Sequence, residues 1–258
     1  MLTEQQITDF IRDGFVKVEN AFPSALAEQG REILWRATGC SPTDSSTWTE
    51  PVIRVGEQKS EPFRLAAGAS ALVEAFDQLA GARRWVPMQS LDGFPIRFPS
   101  EKPPGDDGWH IDGGFEADMP GSPVPWRVNV WSRGRALLPL FLFSDIGPDD
   151  APTRFRVGSH QRMAKLLFPK GENGGGVMEM DDAYNSTDDL PQALGTGRAG
   201  DAYVCHPFLV HAAQANRTGR VKFMAQPLLA ATGQCVLDRD DSSYSPVEQA
   251  IRKGIGAE

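Results

Sequence analysis

The chain has 258 residues, a formal net charge of −8 and an apolar content of 40%. This length fits one large domain or two small ones, and the acidic balance argues against nucleic-acid binding, because phosphates are held by basic patches. No run of about 18 apolar residues exists, and the N-terminal segment lacks the basic and apolar regions of a secretory signal. We therefore expect no membrane interaction and a cytoplasmic location. The three cysteines, Cys40, Cys205 and Cys235, share no CxxC spacing, which argues against disulfides and a zinc ribbon.

Residues 1–84 are predicted to be mainly helical. Thr3-Glu4-Gln5-Gln6 has the form of a capping box that starts a first helix, and Gly14 is placed to end it. A short strand should follow over 15–19. Ser24 is predicted to cap a second helix that stops near Gly39, and residues 40–62 are expected to form a loop with little order. A third helix ends at Gly81 and carries one apolar face, formed by Leu72, Ala75, Phe76 and Leu79.

Residues 85–232 change character and are predicted to form a jelly-roll core. Short β-like runs are separated there by Pro, Gly and Asp, which is typical of a sandwich or barrel. The expected strands lie near 85–91, 94–98, 109–112, 126–132, 136–143, 153–157, 201–206, 208–213 and 220–229. The fold class is therefore mainly β with flanking helices. We expect one domain over 1–258, because no linker or internal repeat is visible.

The pair His110 and Asp112 is the first candidate for chemistry. In an extended strand, side chains two residues apart point to the same face, so a ring nitrogen and a carboxylate can reach one point. A third ligand from a distant strand would complete a two-histidine, one-carboxylate face, which suits non-haem Fe(II) and leaves coordination positions open. A lone His-x-Asp is weak evidence, since most such tripeptides are incidental.

The partner histidine is His206 or His211. These two are five residues apart, so in a regular strand they face opposite sides and only one can join the pair. Arg217-Thr218 as a two-residue hairpin loop would pair His211 with Met224 and place Arg220 on the face of His211, roughly 13 Å away along the ladder. Arginine's planar fork suits a carboxylate ligand. His160, in Val157-Gly158-Ser159-His160, is expected to have a structural role.

These residues resemble the phytanoyl-CoA dioxygenase-like group of Fe(II)- and 2-oxoglutarate-dependent oxygenases. The likeness runs through Asp13-Gly14-Phe15-Val16, Trp109-His110-Ile111-Asp112 and Val157-Gly158-Ser159-His160. It continues through Gly200-Asp201 to His211-Ala212-Ala213 and Arg220. The resemblance implies a double-stranded β-helix with helices packed outside, and His110, Asp112 and His211 as iron ligands. It also implies that Arg220 binds the distal carboxylate of 2-oxoglutarate.

Two departures from the family pattern concern the co-substrate. A small hydroxyl residue is usual two places after the second histidine, where this chain has Ala213. The Gly-Gly-Thr that usually precedes Gly-Ser-His is Ala151-Pro152-Thr153 here. Thr153 is therefore expected to offer its hydroxyl to 2-oxoglutarate, and Arg97 or Gln89 on earlier strands to touch it too.

The function implied by the resemblance is hydroxylation of a small organic molecule, with O2 as oxidant and release of succinate and CO2. Halogenating relatives replace the ligand carboxylate with a small residue, so Asp112 favours hydroxylation or a related oxidation. Two alternatives stay open: a cupin-like metalloenzyme that does not use 2-oxoglutarate, and a family member that binds a ligand without turnover. The Gly-rich and Asp-rich segment 170–196 is either a lid over the site or a mobile surface loop. The sequence gives neither the substrate nor the oligomeric state.

Overall fold

The structure is a computed structural model that describes residues 1–117 and 125–257. Its helices are α1 (Glu4–Asp13), α2 (Ser24–Thr38), α3 (Glu61–Ala67), α4 (Ser70–Ala80), α5 (Ser159–Leu167), α6 (Asp181–Asn185) and α7 (Pro246–Ile255). Its strands are β1 (Phe15–Val18), β2 (Val52–Val55), β3 (Phe94–Arg97), β4 (Phe115–Glu116), β5 (Trp126–Val128), β6 (Arg135–Leu142), β7 (Arg154–Arg156), β8 (Gly175–Gly176), β9 (Gln192–Leu194), β10 (Ala202–Cys205), β11 (His211–Ala212), β12 (Met224–Ala225) and β13 (Leu229–Ala230). Each helix in these two ranges is too short or too polar to span a lipid bilayer.

The N-terminal elements follow the signals in the sequence. Thr3 accepts a hydrogen bond from the Gln6 amide and the Gln6 side chain returns one, so the predicted capping box forms. Gly14 ends α1 at φ 91°, and a Cβ there would lie 2.5 Å from Nδ1 of His160. A positive φ and a close neighbour both require glycine at this position.

Two N-terminal predictions were wrong, and one helix was not predicted. Ser24 is the first residue of α2 rather than its cap, and Pro23 at the cap position makes no side-chain bond. The segment 40–62 is ordered, since β2 pairs along its whole length with β3. A further helix, α3, precedes the predicted third one, and its core residue Phe63 packs edge-on against Phe94.

The largest sheet has the order β1-β10-β6-β12, with β13 also paired to β6. The chain beside β12 extends this sheet, because Lys222 exchanges two backbone hydrogen bonds with Arg97 and the Gln226 amide donates to Gly93. β3 therefore lies next to residues 222–226. The side chains at 222, 224 and 226 share one face of the sheet, and those at 223 and 225 share the other.

A second sheet, β11-β7-β9, faces the first across a buried apolar layer. Apolar side chains from both sheets make this layer: Leu138, Leu140, Leu142, Ile146, Phe155, Tyr203, Cys205, Leu209 and Met224. A third small sheet has the order β4-β5-β8. The protein is thus mostly sheet with helices outside, as predicted at that level, and the strands paired within residues 1–117 and 125–257 form several sheets. Residues 85–91 and 109–112 are not regular strands and contribute isolated bridges.

The C-terminal helix α7 packs against α1, α4 and α5. Its N-terminus is held by Glu248, whose side chain is fully buried and contacts Arg84 at 2.7 Å and Arg239 at 3.3 Å. Burial alone would raise the pKa of Glu248, but its bonds to Arg84 and to the Ser245 and Val236 amides lower it to about 2. The carboxylate therefore stays charged under all ordinary conditions.

Replacing Glu248 with glutamine should destabilise the protein by about 3 kcal/mol, because it leaves two guanidinium groups without their buried partner. Glu248 has a lower pKa folded than unfolded. Its stabilisation is therefore complete above about pH 4.5 and is lost as the pH falls towards about 2.

Urea denaturation of wild type and Glu248→Gln between pH 3 and pH 7 measures this difference in stability. Glu28→Gln, at an exposed position of α2, is the control. A difference between wild type and Glu248→Gln that stays constant with pH would contradict the prediction.

Candidate metal centre

His110, Asp112 and His211 come together in the structure. One ligand atom from each lies within 4.8 Å of the other two, and in the described ranges this is the one cluster of histidine, cysteine and acidic side chains with such spacing. His110 and His211 exchange backbone hydrogen bonds of 3.0 and 2.9 Å, and β11 is in turn paired with β7. Asp112 follows two residues later on the same side. The predicted convergence is thus present, although an isolated bridge rather than a regular strand creates it.

Trp109 helps to hold this segment in place. The guanidinium carbons of Arg154 and Arg156 lie 4.8 and 4.1 Å from the centre of its ring. Both arginines stand on one face of β7, the strand that pairs with β11. Cation–π contacts therefore tie the residue before His110 to the strand that carries His211.

Hydrogen bonds fix the tautomer of both histidines. Nδ1 of His110 lies 2.8 Å from the Gly108 carbonyl, and Nδ1 of His211 lies 3.0 Å from the Leu209 carbonyl. A carbonyl oxygen only accepts, so each Nδ1 carries a proton and each Nε2 is left for another partner. Burial, followed by the charge of His110, lowers the pKa of His211 to about 4, which keeps the His211 ring neutral at pH 7. His211 is therefore in the form that binds a metal through Nε2.

Asp112 is kept ionised by its neighbours. Burial would raise its pKa, but the charge of Arg135 and the nearby histidines, with a hydrogen bond from Gln226, lower the pKa to about 2. Nη2 of Arg135 lies 3.6 Å from Oδ2 of Asp112, and Nε and Nη2 of the same guanidinium donate to the Gly113 carbonyl. The Gln226 amide lies 3.0 Å from Oδ2. Asp112 and His211 thus need to lose no proton before a cation binds.

The remaining histidines form a separate buried pair. The rings of His160 and His206 are 4.8 Å apart, and their Nε2 atoms contact the carbonyls of Ile11 and Val247. Both side chains are fully buried. The choice between His206 and His211 is therefore settled by geometry in favour of His211, and His160 has the structural role expected for it.

Arg220 is not brought to the triad, and the strand pairing predicted for it was wrong. β11 pairs with β7, whereas β12 pairs with β6, so His211 and Met224 belong to different sheets. The Asn216 amide donates to the carbonyls of Arg97 and Arg220, and the chain passes between sheets instead of closing a two-residue hairpin. The Arg220 side chain is 68% exposed and forms an ion pair with Asp150.

Lys222, two residues after Arg220 in the chain, is a buried cation. Its side chain is 1% exposed, and Nζ donates to the Ala151 carbonyl at 2.7 Å, the one acceptor it has among the described residues. Burial, then the neighbouring charge of Arg97, lowers the pKa of Lys222 to about 7. Arg97 is also buried, but both of its Nη atoms are engaged with Asp106 at 2.9 Å. A buried ammonium group with one neutral acceptor favours an anionic ligand.

Thr153 and Gln89 have different surroundings. Thr153 is buried, and its hydroxyl donates to Sδ of Met224 at 3.6 Å, two residues from Lys222. A thioether is a weak acceptor, so this hydroxyl can turn to a stronger one. Gln89 is exposed and lies in a bend rather than on a strand. The predicted strand position of Gln89 was therefore wrong, and its contact with the co-substrate stays a prediction.

Sequence reasoning missed three residues: Arg135 and Gln226, which contact Asp112, and Lys222, the buried cation two residues before Met224. The alternation of Lys222, Met224 and Gln226 was a usable signal, since residues two apart share a face of a strand. Arg135 offered no signal. It is the first residue of β6, an eight-residue buried strand, and an arginine at the end of such a strand is expected to face solvent.

Several solved structures share this fold. The carbocyclase SnoK from nogalamycin biosynthesis, described as non-haem and α-ketoglutarate-dependent, superposes with a TM-score of 0.57 at 17% identity, covering 89% of this chain and 84% of its own. The epimerase SnoN, in complex with Fe3+, α-ketoglutarate and nogalamycin RO, gives 0.56 at 18% identity over 94% and 92%. HygX from Streptomyces hygroscopicus, with nickel, 2-oxoglutarate and hygromycin B bound, gives 0.54 at 17% identity over 95% and 96%. At these identities the likeness establishes the fold.

A search of curated protein sequences finds no match. The family model described as phytanoyl-CoA dioxygenase (PhyH), in contrast, matches residues 10–224. That range contains the whole His110, Asp112 and His211 cluster and most of the two facing sheets. With most of its length matched, the chain belongs to the phytanoyl-CoA dioxygenase family.

Proposed function

We propose that this protein is an Fe(II)- and 2-oxoglutarate-dependent oxygenase that acts on a small organic molecule and releases succinate and CO2. The observation that carries the proposal is the meeting of His110, Asp112 and His211, with both Nε2 atoms and one carboxylate oxygen turned towards each other. Two histidines and one carboxylate suit Fe(II) and leave positions for other ligands. The bound iron and co-substrate would supply the activation of O2.

Lys222 is proposed to hold the distal carboxylate of 2-oxoglutarate, in place of Arg220. Lys222 shares a face of its strand with Gln226, which contacts the triad, and lies about 13 Å from Gln226 along the strand. A five-carbon dicarboxylate and the four-carbon stem of lysine can bridge that gap. The bound carboxylate would also raise the pKa of Lys222 again, because an opposite charge favours the ammonium form.

Two neighbours would support this carboxylate. The Thr153 hydroxyl contacts Met224, which lies between Lys222 and Gln226 on their shared face. This hydroxyl can donate to the ligand. Arg97, paired with Asp106, keeps the neighbourhood of Lys222 positive without using its own Nη donors on the ligand. Lys222 thus makes the direct contact, and Arg97 acts through charge.

Hydroxylation is the reaction that the ligand set supports best, because Asp112 occupies the position where a halide would bind in halogenating relatives. The carbocyclase and epimerase among the similar structures show that other oxidations are compatible with this fold. The similar structures bound to nogalamycin RO and hygromycin B favour a small-molecule substrate over a macromolecule. The whole chain is proposed to act as one domain, because one apolar core includes side chains from Leu2 to Ile251.

The segment 170–196 is proposed to border the substrate entrance. Two of its apolar side chains, Met180 and Tyr184, are buried, while Met178 is 77% exposed. The Tyr184 hydroxyl donates to the Val177 carbonyl at 2.7 Å, which ties α6 to the residues before it. Hydrogen exchange in 170–196 should slow when the true substrate binds, and unchanged exchange would make this segment part of the outer surface only.

The test is succinate release from 2-oxoglutarate by the Fe(II)-loaded protein, across a panel of small lipophilic acids, terpenoids and amino-acid derivatives. We expect release that requires Fe(II), O2 and an intact His211. Metal binding without any consumption of 2-oxoglutarate would favour the cupin-like alternative. A protein that binds ligands of the panel but no metal would be the non-catalytic family member.

A further inference from the structure

The two oxygens of Asp112 have different surroundings. Oδ1 lies 3.8 Å from Nε2 of His110 and 3.9 Å from Nε2 of His211, at the point where the ligand atoms meet. Oδ2 contacts two other groups instead, Nε2 of Gln226 at 3.0 Å and Nη2 of Arg135 at 3.6 Å. One oxygen is therefore available to a metal, whereas the other has hydrogen-bond donors from the protein.

The orientation of the Gln226 amide follows from its neighbours. The terminal side-chain atom assigned as Nε2 lies 3.0 Å from Oδ2 of Asp112 and 3.2 Å from Nε2 of His211. Oδ2 only accepts, and Nε2 carries a lone pair because Nδ1 of the same ring donates to Leu209. Both neighbours are acceptors, so the NH2 group rather than the carbonyl oxygen must face them.

The backbone holds Gln226 in this position. The backbone N–H of Gln226 donates to the Gly93 carbonyl at 2.9 Å. A Cβ at Gly93 would lie 2.6 Å from the backbone carbonyl oxygen of Gln226. These two backbone segments approach so closely that only glycine fits at position 93. Gln226 is partly exposed, in contrast to the fully enclosed Arg135. It also lies outside residues 10–224, the range matched by the family model.

We infer that Gln226 is a positioning residue that keeps Asp112 coordinating through Oδ1 alone. This inference rests on the proposed function, in which the triad holds a metal. A six-coordinate ion bound by three protein atoms keeps three positions for 2-oxoglutarate and O2. A carboxylate without a donor on Oδ2 can bind with both oxygens and take a fourth position. The Gln226 amide opposes this by engaging Oδ2, and Arg135 alone, at 3.6 Å, is too distant for a strong hydrogen bond.

The experiment counts exchangeable waters on Mn(II), which takes octahedral oxygen-rich sites and reports bound water through proton relaxation. Saturating Mn(II) is used, because loss of an outer contact to a ligand typically lowers metal affinity about 10- to 100-fold. Wild type and the control Gln214→Met should both show about three waters. Gln214 is a partly buried glutamine that donates to Pro152, not to the triad. Gln226→Met and Gln226→Asn should both show about two, a fall of one third.

The two ways of failing are separable. A water count in both Gln226 variants equal to that of wild type overturns this inference and leaves the proposed metal site intact. Mn(II) binding that is unchanged by His110→Ala overturns the proposed function itself. Gln226→Asn retains an amide but draws it back by one methylene, so it gives the same answer should the methionine variant fail to fold.

Discussion

Replacing Lys222 with methionine is expected to raise the concentration of 2-oxoglutarate needed for half-saturation by about 100-fold. Losing one partner of a buried charge pair typically costs about 2–5 kcal/mol, and about 2.8 kcal/mol corresponds to 100-fold. The measurement is titration of the metal-loaded protein with 2-oxoglutarate in the absence of O2. The control is Arg220→Met, which removes a cation two residues earlier in the chain, from a side chain that is 68% exposed. It should change the affinity less than about threefold, because solvent screens a largely exposed cation.

The Lys222→Met substitution should leave the unliganded protein at least as stable as wild type. Lys222 is buried with one neutral acceptor, and replacing a poorly compensated buried cation with an apolar side chain of similar size is often stabilising. A gain of about 1 kcal/mol would raise the melting temperature by about 2–4 °C. Loss of 2-oxoglutarate binding together with a marked loss of stability would indicate a structural role, and loss of binding in Arg220→Met instead would restore the original assignment.

Replacing His110 with alanine should weaken metal binding by more than about 100-fold, since even residues that only contact a ligand contribute about 10- to 100-fold. The fold should be almost unaffected, because the His110 side chain is 37% exposed and, among residues 1–117 and 125–257, makes one hydrogen bond, to Gly108. Equilibrium dialysis against Mn(II) measures the affinity and thermal unfolding measures the stability.

The control for this variant is Asp107→Asn, which removes an exposed carboxylate three residues away. Its effect on metal affinity should be within about threefold, as for other exposed charges. Equal losses in Asp107→Asn and His110→Ala would mean that general negative charge, rather than the triad, attracts the metal.

The parts of the fold set by local chemistry were predictable. α1 was found from a capping box and a terminal glycine, because these satisfy the free backbone groups of a helix within a few residues. α7 has an equally clear capping box, Ser245 to Glu248, and could have been found in the same way. β2 was not visible, since its pairing with β3 joins residues about 40 apart and only tertiary contact reveals it.

The triad was predictable for a similar reason. His110 and Asp112 share a side because they are two residues apart in extended chain, and four histidines left few choices for the third ligand. Arg220 was misplaced because its assignment depended on a strand register, and a change of pairing partner alters every relation along the strand. The deciding group was the Asn216 side chain, which bonds two carbonyls across the crossing and cannot be placed from sequence.

The most direct test of the account is a crystal structure of the protein with Fe(II) and 2-oxoglutarate, grown without O2 and recorded at the iron absorption edge. We expect one anomalous peak bound by Nε2 of His110, Oδ1 of Asp112 and Nε2 of His211, with the distal carboxylate of 2-oxoglutarate against Nζ of Lys222. An iron peak elsewhere in the chain, or a distal carboxylate held by Arg220, would contradict it.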